Sequence, residues 1–140
     1  MLLLLFLDAA LPTDFRNALR LWSRWIDAVG NKSNLDANIE ETIDACTLLA
    51  EFEAFGSRTY ANQYEQNYQL QMEYYRLGNS RARKRYNEPS STSKPWWWLA
   101  SPNCNHANDF VGVSGDGGLG ASYTGDSADY SNLIVPAFKT

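Results

Sequence analysis

Pro95-Trp96-Trp97-Trp98-Leu99-Ala100-Ser101-Pro102 is the stretch whose reading decides the fold. Three consecutive tryptophans concentrate more apolar area than any other short run of the chain. Full burial of one large side chain is worth roughly 1.5–3 kcal/mol. Neighbouring side chains of a strand point to opposite faces, so Trp96 and Trp98 share one face and Trp97 takes the other. A strand with indoles on both faces needs cover on both, which makes it central, or else one face is a binding surface. The chain beyond it differs in kind: residues 103–132 are almost all Asn, Asp, Ser, Gly, Thr, Ala and Tyr. A rigid aromatic strand is expected to carry a soft, loop-rich end, with Trp96, Trp97, Trp98, Pro136 and Phe138 in the structural core.

Working outward, size and composition set the bounds. A chain of 140 residues is one domain, 1–140, long enough for a real core. Apolar content of 44% and aromatic content of 14% exclude a disordered chain. The net charge is −4 and the pI about 4.9, which argues against a general nucleic-acid binder, since that affinity rests on cations facing phosphates. Cys46 and Cys104 either pair or stay reduced, and independent reduced thiols are the commoner state in a cytosolic product. Met1-Leu2-Leu3-Leu4-Leu5-Phe6-Leu7 is too short to span a bilayer, which takes about 20 apolar residues. It has no basic residue ahead of it and meets Asp8 at once, unlike a signal peptide. It reads as a buried core element, with a processed leader as the alternative and no membrane insertion expected.

Leu11-Pro12-Thr13-Asp14 reads as a helix start. Phe15, Ala18, Leu19, Trp22, Ile26 and Val29 then recur at helical spacing until Gly30-Asn31. Arg16, Arg20, Arg24 and Asp27 fall off that stripe, so a long N-terminal helix covering a sheet is expected. Ile39 to Asp44 fits a strand or a helix turn. Thr47 to Leu49 reads as a buried edge, and Glu51 to Phe55 as a short helix or turn closed by Gly56. A further short helix ends at Leu77-Gly78. Arg81, Arg83, Lys84 and Arg85 form the only cationic cluster, read as a solvated loop or as a docking patch for an acidic partner. Glu88 to Ser93 is a loop. Beyond the tryptophans, Asn103 to Asp109 is a loop, and Phe110, Val111 and Val113 form a strand. Gly115-Asp116-Gly117-Gly118 is a hairpin turn, and Leu119 to Tyr123 return. Thr124 to Asn132 is a second loop and Leu133 to Phe138 the last strand.

The run Trp97-Trp98-Leu99-Ala100-Ser101-Pro102 resembles the Trp-Trp-Leu-Arg-Ser-Pro box of the DUF6273 domains of gut bacteria and their phages. Leu48-Leu49-Ala50-Glu51-Phe52-Glu53-Ala54-Phe55-Gly56 is similar to an upstream box of the same domains. Phe110 to Val113 with Gly117, and Ile134-Val135-Pro136-Ala137-Phe138, match its later pieces. The box arginine falls on Ala100 and the closing glycine on Leu133. The resemblance implies an α+β, C-type-lectin-like domain with a covering N-terminal helix, a small mostly antiparallel sheet and long loops. That fold is shared by formylglycine-generating enzymes and by the variable proteins of diversity-generating retroelements. It also favours a strand for Ile39 to Asp44.

No catalytic constellation emerges from the residues. His106 is the only histidine, and Cys104 stands two positions away, a pair that would share a strand face but lacks a third orienting group. Enzyme activity does not follow from a shared fold. Asp116, Asp126 and Asp129 are oxygen ligands that suit Ca2+, but without EF-hand spacing, and turn chemistry explains the same composition. No cofactor is expected. Between Pro102 and Phe138 there is no Lys, Arg, Glu, Gln, Met or Trp. Adenine-targeted diversification yields that spectrum, as in retroelement variable proteins, and ordinary turn preference depletes the same residues. Tyr, Ser, Gly, Asn and Asp are the residues of adaptable contact surfaces. Asn103, Asn105, His106, Asn108, Tyr123, Asp126, Asp129 and Tyr130 are therefore the expected ligand contacts. The expected function is non-enzymatic binding of a host or target-cell surface protein or glycan, displayed on a virion or bacterial surface, with a cytoplasmic location as the alternative. The alternative is a structural virion or envelope protein.

Overall fold

The computed structural model describes residues 11–30, 33–85, 92, 94–119, 126–127 and 132–139. Among them are three short helices, α1 (Thr13–Ala18), α2 (Glu51–Phe55) and α3 (Glu73–Arg76). The strands are β1 (Trp22–Asp27), β2 (Ile39–Asp44), β3 (Cys46–Thr47), β4 (Trp97–Pro102), β5 (Asp109–Val113), β6 (Asp126–Ser127) and β7 (Ala137–Phe138). They form three small antiparallel sheets: β1 with β2, β3 with β7, and β4-β5-β6 in that order.

The tryptophan strand is central, as its two-faced bulk requires. One edge of β4 pairs with β5, Trp97 opposite Val113 and Trp98 opposite Gly112. Its other edge is taken by single residues: Trp98 N–H donates to Leu133 O at 3.0 Å, Leu133 N–H to Trp96 O at 2.8 Å, and Ala100 N–H to Leu49 O at 2.8 Å. Burial alternates along β4 with the period of two. Trp97, Leu99 and Ser101 are buried, whereas Trp98 is half-buried and meets Phe110 edge-on at 6.5 Å. Only Trp97 among the three indoles is a full core residue, packed with Leu49, Ala54, Ala61, Tyr75, Leu99, Val111 and Val113. Trp96, which precedes the strand, Pro136 and Phe138 are half-buried. The expected core role therefore holds in full for Trp97 alone.

The N-terminal helix is the main correction. It ends at Ala18, where Leu19 turns extended at ψ 142°, and none of its residues is buried. Its ring contact is Phe15 edge-on to Phe138 at 5.5 Å. Trp22 to Asp27, expected to continue the helix, instead form a strand paired along its whole length with Ile39–Asp44, from Trp22 opposite Asp44 to Asp27 opposite Ile39. Trp and Ile fit a strand as readily as a helix. The two polar residues that looked solvent-facing are buried because remote partners meet them. Arg24 makes a two-pronged ion pair with Glu53, Nε to Oε1 at 3.1 Å and Nη2 to Oε2, and also donates to Thr47 Oγ1.

Local signals elsewhere held. Helix α2 starts where Glu53 Oε2 accepts the Ala50 N–H at 2.7 Å, the carboxylate half of a capping box. It ends at Gly56, whose φ of +69° is left-handed. The hairpin after β5 closes with Ser114 N–H to Gly118 O at 2.9 Å. Gly115 admits no side chain there, since a Cβ would sit 2.1 Å from Lys94 O. The basic cluster lies in an irregular segment with Lys84 and Arg85 exposed, while Arg81 lies over the Phe55 ring at 4.5 Å, and Arg83 over Tyr75 and Trp97 at 5.7 Å. One further expectation is corrected. The last strand is reduced to a bridge at Leu133 and the two residues of β7. The runs Met1–Leu7 and Glu88–Ser91 and the return after Leu119 lie outside the described residues.

Candidate functional site

The site is built on a buried polar network under β4. Glu51 sits at the start of α2, and its two carboxylate oxygens accept the N–H groups of Thr59 (2.6 Å), Tyr60 (3.0 Å) and Ala61 (2.6 Å). Ser101 Oγ accepts the Glu51 N–H at 2.9 Å and donates to Glu65 Oε2 at 2.7 Å. Glu65 Oε1 accepts the Asp27 N–H at 2.9 Å. The Asp27 carboxylate takes the N–H groups of Val29 and Gly30, both at 2.8 Å, and the Asn62 amide at 3.1 Å. One serine of β4 thus ties α2, the 3-10 turn Glu65–Asn67 and the end of β1 together. Buried polar groups satisfied in this way specify one arrangement.

Burial pushes the Glu65 carboxyl up to about 7, with Asp27 and Glu51 adding repulsion against the hydrogen bonds that favour its charge. The folded chain therefore holds a proton on Glu65 between about pH 4.5 and 7 that the unfolded chain has released. That contribution is complete below pH 4.5 and is lost as pH rises through 7, at most about 3 kcal/mol. Glu65→Gln keeps the shape and does not ionise. Urea unfolding of both proteins from pH 4.5 to 8 should show the wild type losing stability relative to the variant across that window. Parallel curves would mean that Glu65 titrates as it does in the unfolded chain.

On this base stands the loop between β4 and β5. Asn103 N–H donates to Asp109 O at 2.9 Å and Cys104 N–H to Tyr60 O at 2.8 Å, which pins the loop's root. Asn103, expected to touch ligand, is instead fully buried, and its Oδ1 holds the Asn105 N–H at 2.8 Å. It shapes the loop rather than facing outward. Asn105, His106, Ala107 and Asn108 are exposed. His106 Nδ1 lies 4.0 Å from Asp109 Oδ2. Cys104 is buried with its sulfur 3.1 Å from Arg58 Nη2, so it does not share an open face with His106. Cys46 and Cys104 are both free. Burial, with the Asp44 charge, pushes the Cys46 thiol up.

Beside the loop runs a groove of about 380 Å3. Ala107, Asp109 and Phe110 form one bank, and Ile26, Val29 and Thr42 of the β1–β2 hairpin region line it from the other chain segment. Ala100, where the resembled box has arginine, and Pro102 also line it, with Arg24 held by Glu53. The groove is a mixed surface of apolar patches with the Asp44 and Asp109 carboxyls, at the low end of ligand-pocket size, about 300–1,000 Å3. Phe110 and the hairpin residues were not among the expected contacts. The exposed aromatic beside a polar loop was a signal for Phe110, but nothing local marks the hairpin.

The remaining expected contacts divide. Tyr123, Asp129 and Tyr130 lie outside the described residues. The backbone of Asp126 is not in a loop: it forms β6, opposite Phe110, which brings that part of the second polar segment beside the groove's aromatic. Asp116 is ion-paired with Lys94 on the surface. Among the described residues no group of three or more His, Cys, Asp or Glu is placed to hold a metal ion. No described helix is long and apolar enough to cross a membrane. A family model described as "Domain of unknown function (DUF6273)" matches residues 6–139. No curated protein and no solved structure matches the chain.

Proposed function

The chain belongs to the DUF6273 family, and from that premise we propose that it is a non-enzymatic ligand-binding or display module. It meets a protein or glycan of a host or target-cell surface through the loops within 103–132. The proposal includes a C-type-lectin-like fold, which the resemblance of the tryptophan and Leu-Leu boxes supports, and display on a virion or bacterial surface. The observation that carries it is the division of labour in the first loop. Asn103 and Cys104 are anchored inside the molecule, while Asn105, His106 and Asn108 stand exposed beside a groove. Such a loop can change its exposed residues without disturbing the network beneath, which is what an adaptable contact surface needs.

A glycan and cell-surface array tests the reading. The wild-type chain should give discrete signals, and the combined Asn105→Ala, His106→Ala and Asn108→Ala variant should bind at least about tenfold more weakly. The unfolding midpoint should be unchanged, because all three side chains are exposed. An array signal that survives all three replacements would remove this loop from the site.

A further inference from the structure

Two pockets meet at Ala100 and Phe110, which line both. The first is the groove of about 380 Å3 described above. The second, of about 240 Å3, is otherwise lined by Leu48, Trp98 and Leu99, with no charged residue. Phe110 is 39% exposed at the junction and meets Trp98 edge-on. One depression thus has an apolar end and a charged end.

At the charged end a negative remainder is left. Arg24, Asp27, Asp44 and Asp109 line it. Arg24 is held by Glu53 and Thr47. The Asp27 carboxylate is occupied by two backbone N–H groups and the Asn62 amide. Asp44 has no counter-ion among the described residues, and its charge helps to push up the Cys46 thiol. Asp109 has only His106, at 4.0 Å, a counter-ion only when protonated. Both aspartates are half-buried, so a partner can reach them without opening the fold.

The remaining lining selects the cation. Ile26, Val29 and Ala107 give that end apolar surface. An ammonium is a strongly hydrated point charge and loses much of that hydration on entering such a surface. A guanidinium is more weakly hydrated, stacks on aromatic rings and donates several N–H groups to carboxylates. Phe110 offers it a ring. The apolar end then suits a second side chain of the same partner. A neutral glycan brings hydroxyls but no cation. A second copy of this chain brings a net charge of −4, the wrong sign.

We propose that the two pockets form one docking groove for an extended protein segment that carries an arginine beside an apolar residue. The guanidinium meets Asp44 and Asp109, and the apolar side chain meets Trp98 and Leu48. This deepens the function proposed above by naming the partner's chemistry, and it rests on that reading of the face as a contact surface.

The test titrates three acetylated dipeptide amides into the full chain: Leu-Arg, Leu-citrulline and Gly-Arg. Citrulline keeps the shape of arginine without its charge. Calorimetry and amide NMR shifts report binding. Leu-Arg should bind at millimolar concentration or better, and each of the others about tenfold more weakly. Raising salt from about 50 to about 500 mM should weaken Leu-Arg severalfold. Asp44→Asn and Asp109→Asn should each weaken Leu-Arg about tenfold and leave Leu-citrulline unchanged. Asp44→Asn remains informative if Asp109→Asn fails to fold, because Asp44 has no ion pair to lose among the described residues. Ala100→Arg sets a tethered guanidinium at the junction and should abolish binding. The proposal is overturned if Leu-Arg does not bind, if Leu-citrulline binds equally well, or if neither aspartate variant weakens binding. Array signals from neutral glycans with no peptide binding would overturn it and leave the loop reading standing, whereas a silent array with no peptide binding would remove both.

Discussion

Trp97→Ala is expected to cost about 3–5 kcal/mol of unfolding free energy, the range for removing a buried aromatic. The indole is 0% exposed and in the same packed cluster as Leu99, Val111 and Val113. Its Nε1–H donates to Arg81 O at 2.8 Å, and the Arg83 guanidinium lies over its ring. Truncation therefore opens a cavity and releases the segment after α3. A domain of this size has about 5–15 kcal/mol in all, so the variant should be partly unfolded in mild urea. Trp97→Phe retains most of the volume and loses the hydrogen bond, for a smaller loss of about 1–3 kcal/mol. Trp98→Ala, at a half-buried position, should fall below Trp97→Ala. Urea midpoints of the three variants check the order, and equal costs at 97 and 98 would mean that the two faces of β4 are not distinguished.

Glu51→Gln is expected to be nearly as damaging as Glu51→Ala, each costing about 3–5 kcal/mol, since every buried donor left unpaired costs about 1–3 kcal/mol. Burial pushes this carboxyl up, and the three N–H groups pull the other way. Both of its oxygens accept backbone N–H groups, Oε1 from Thr59 and Oε2 from Tyr60 and Ala61. Whichever oxygen becomes an amide nitrogen then faces a donor. Glu65 differs: its Oε2 faces only the Ser101 hydroxyl, which can turn to accept. Two buried glutamates sharing one serine should thus respond in opposite ways to the same change. Chemical denaturation at pH 7 separates them, and a tolerated Glu51→Gln would show that the segment 59–61 is held by something else.

These residues also show what a sequence can and cannot reveal. The alternation of β4, the αL glycine after α2 and the turn at residues 115–118 are local, written in neighbours. β1 reads as helix in the sequence because Trp22 and Ile26 satisfy a helical period as well as a strand, while Arg24 and Asp27 look like surface until Glu53 and Asn62 arrive from far along the chain. The candidate site divides in the same way. Exposure of Asn105, His106 and Asn108 follows from polarity and turn chemistry. The burial of Asn103 does not, because it depends on Asp109 and on the root of the loop. The groove joins residues 24–47 to residues 100–110, segments more than fifty positions apart, and neither carries a motif that announces the other.

The pairing of β7 with β3, and of Leu133 with the backbone around Trp97, has a consequence for biosynthesis. Domains form as the chain leaves the ribosome, N-terminal parts first. Here the strip that seals one margin of the aromatic strand emerges only after that strand. Until residues 133–138 clear the exit tunnel, that margin offers bare amides and carbonyls next to indole, a template for intermolecular pairing. Stalled or prematurely terminated translation would leave a sticky product, and the cell would have to manage that interval by speed or by chaperones.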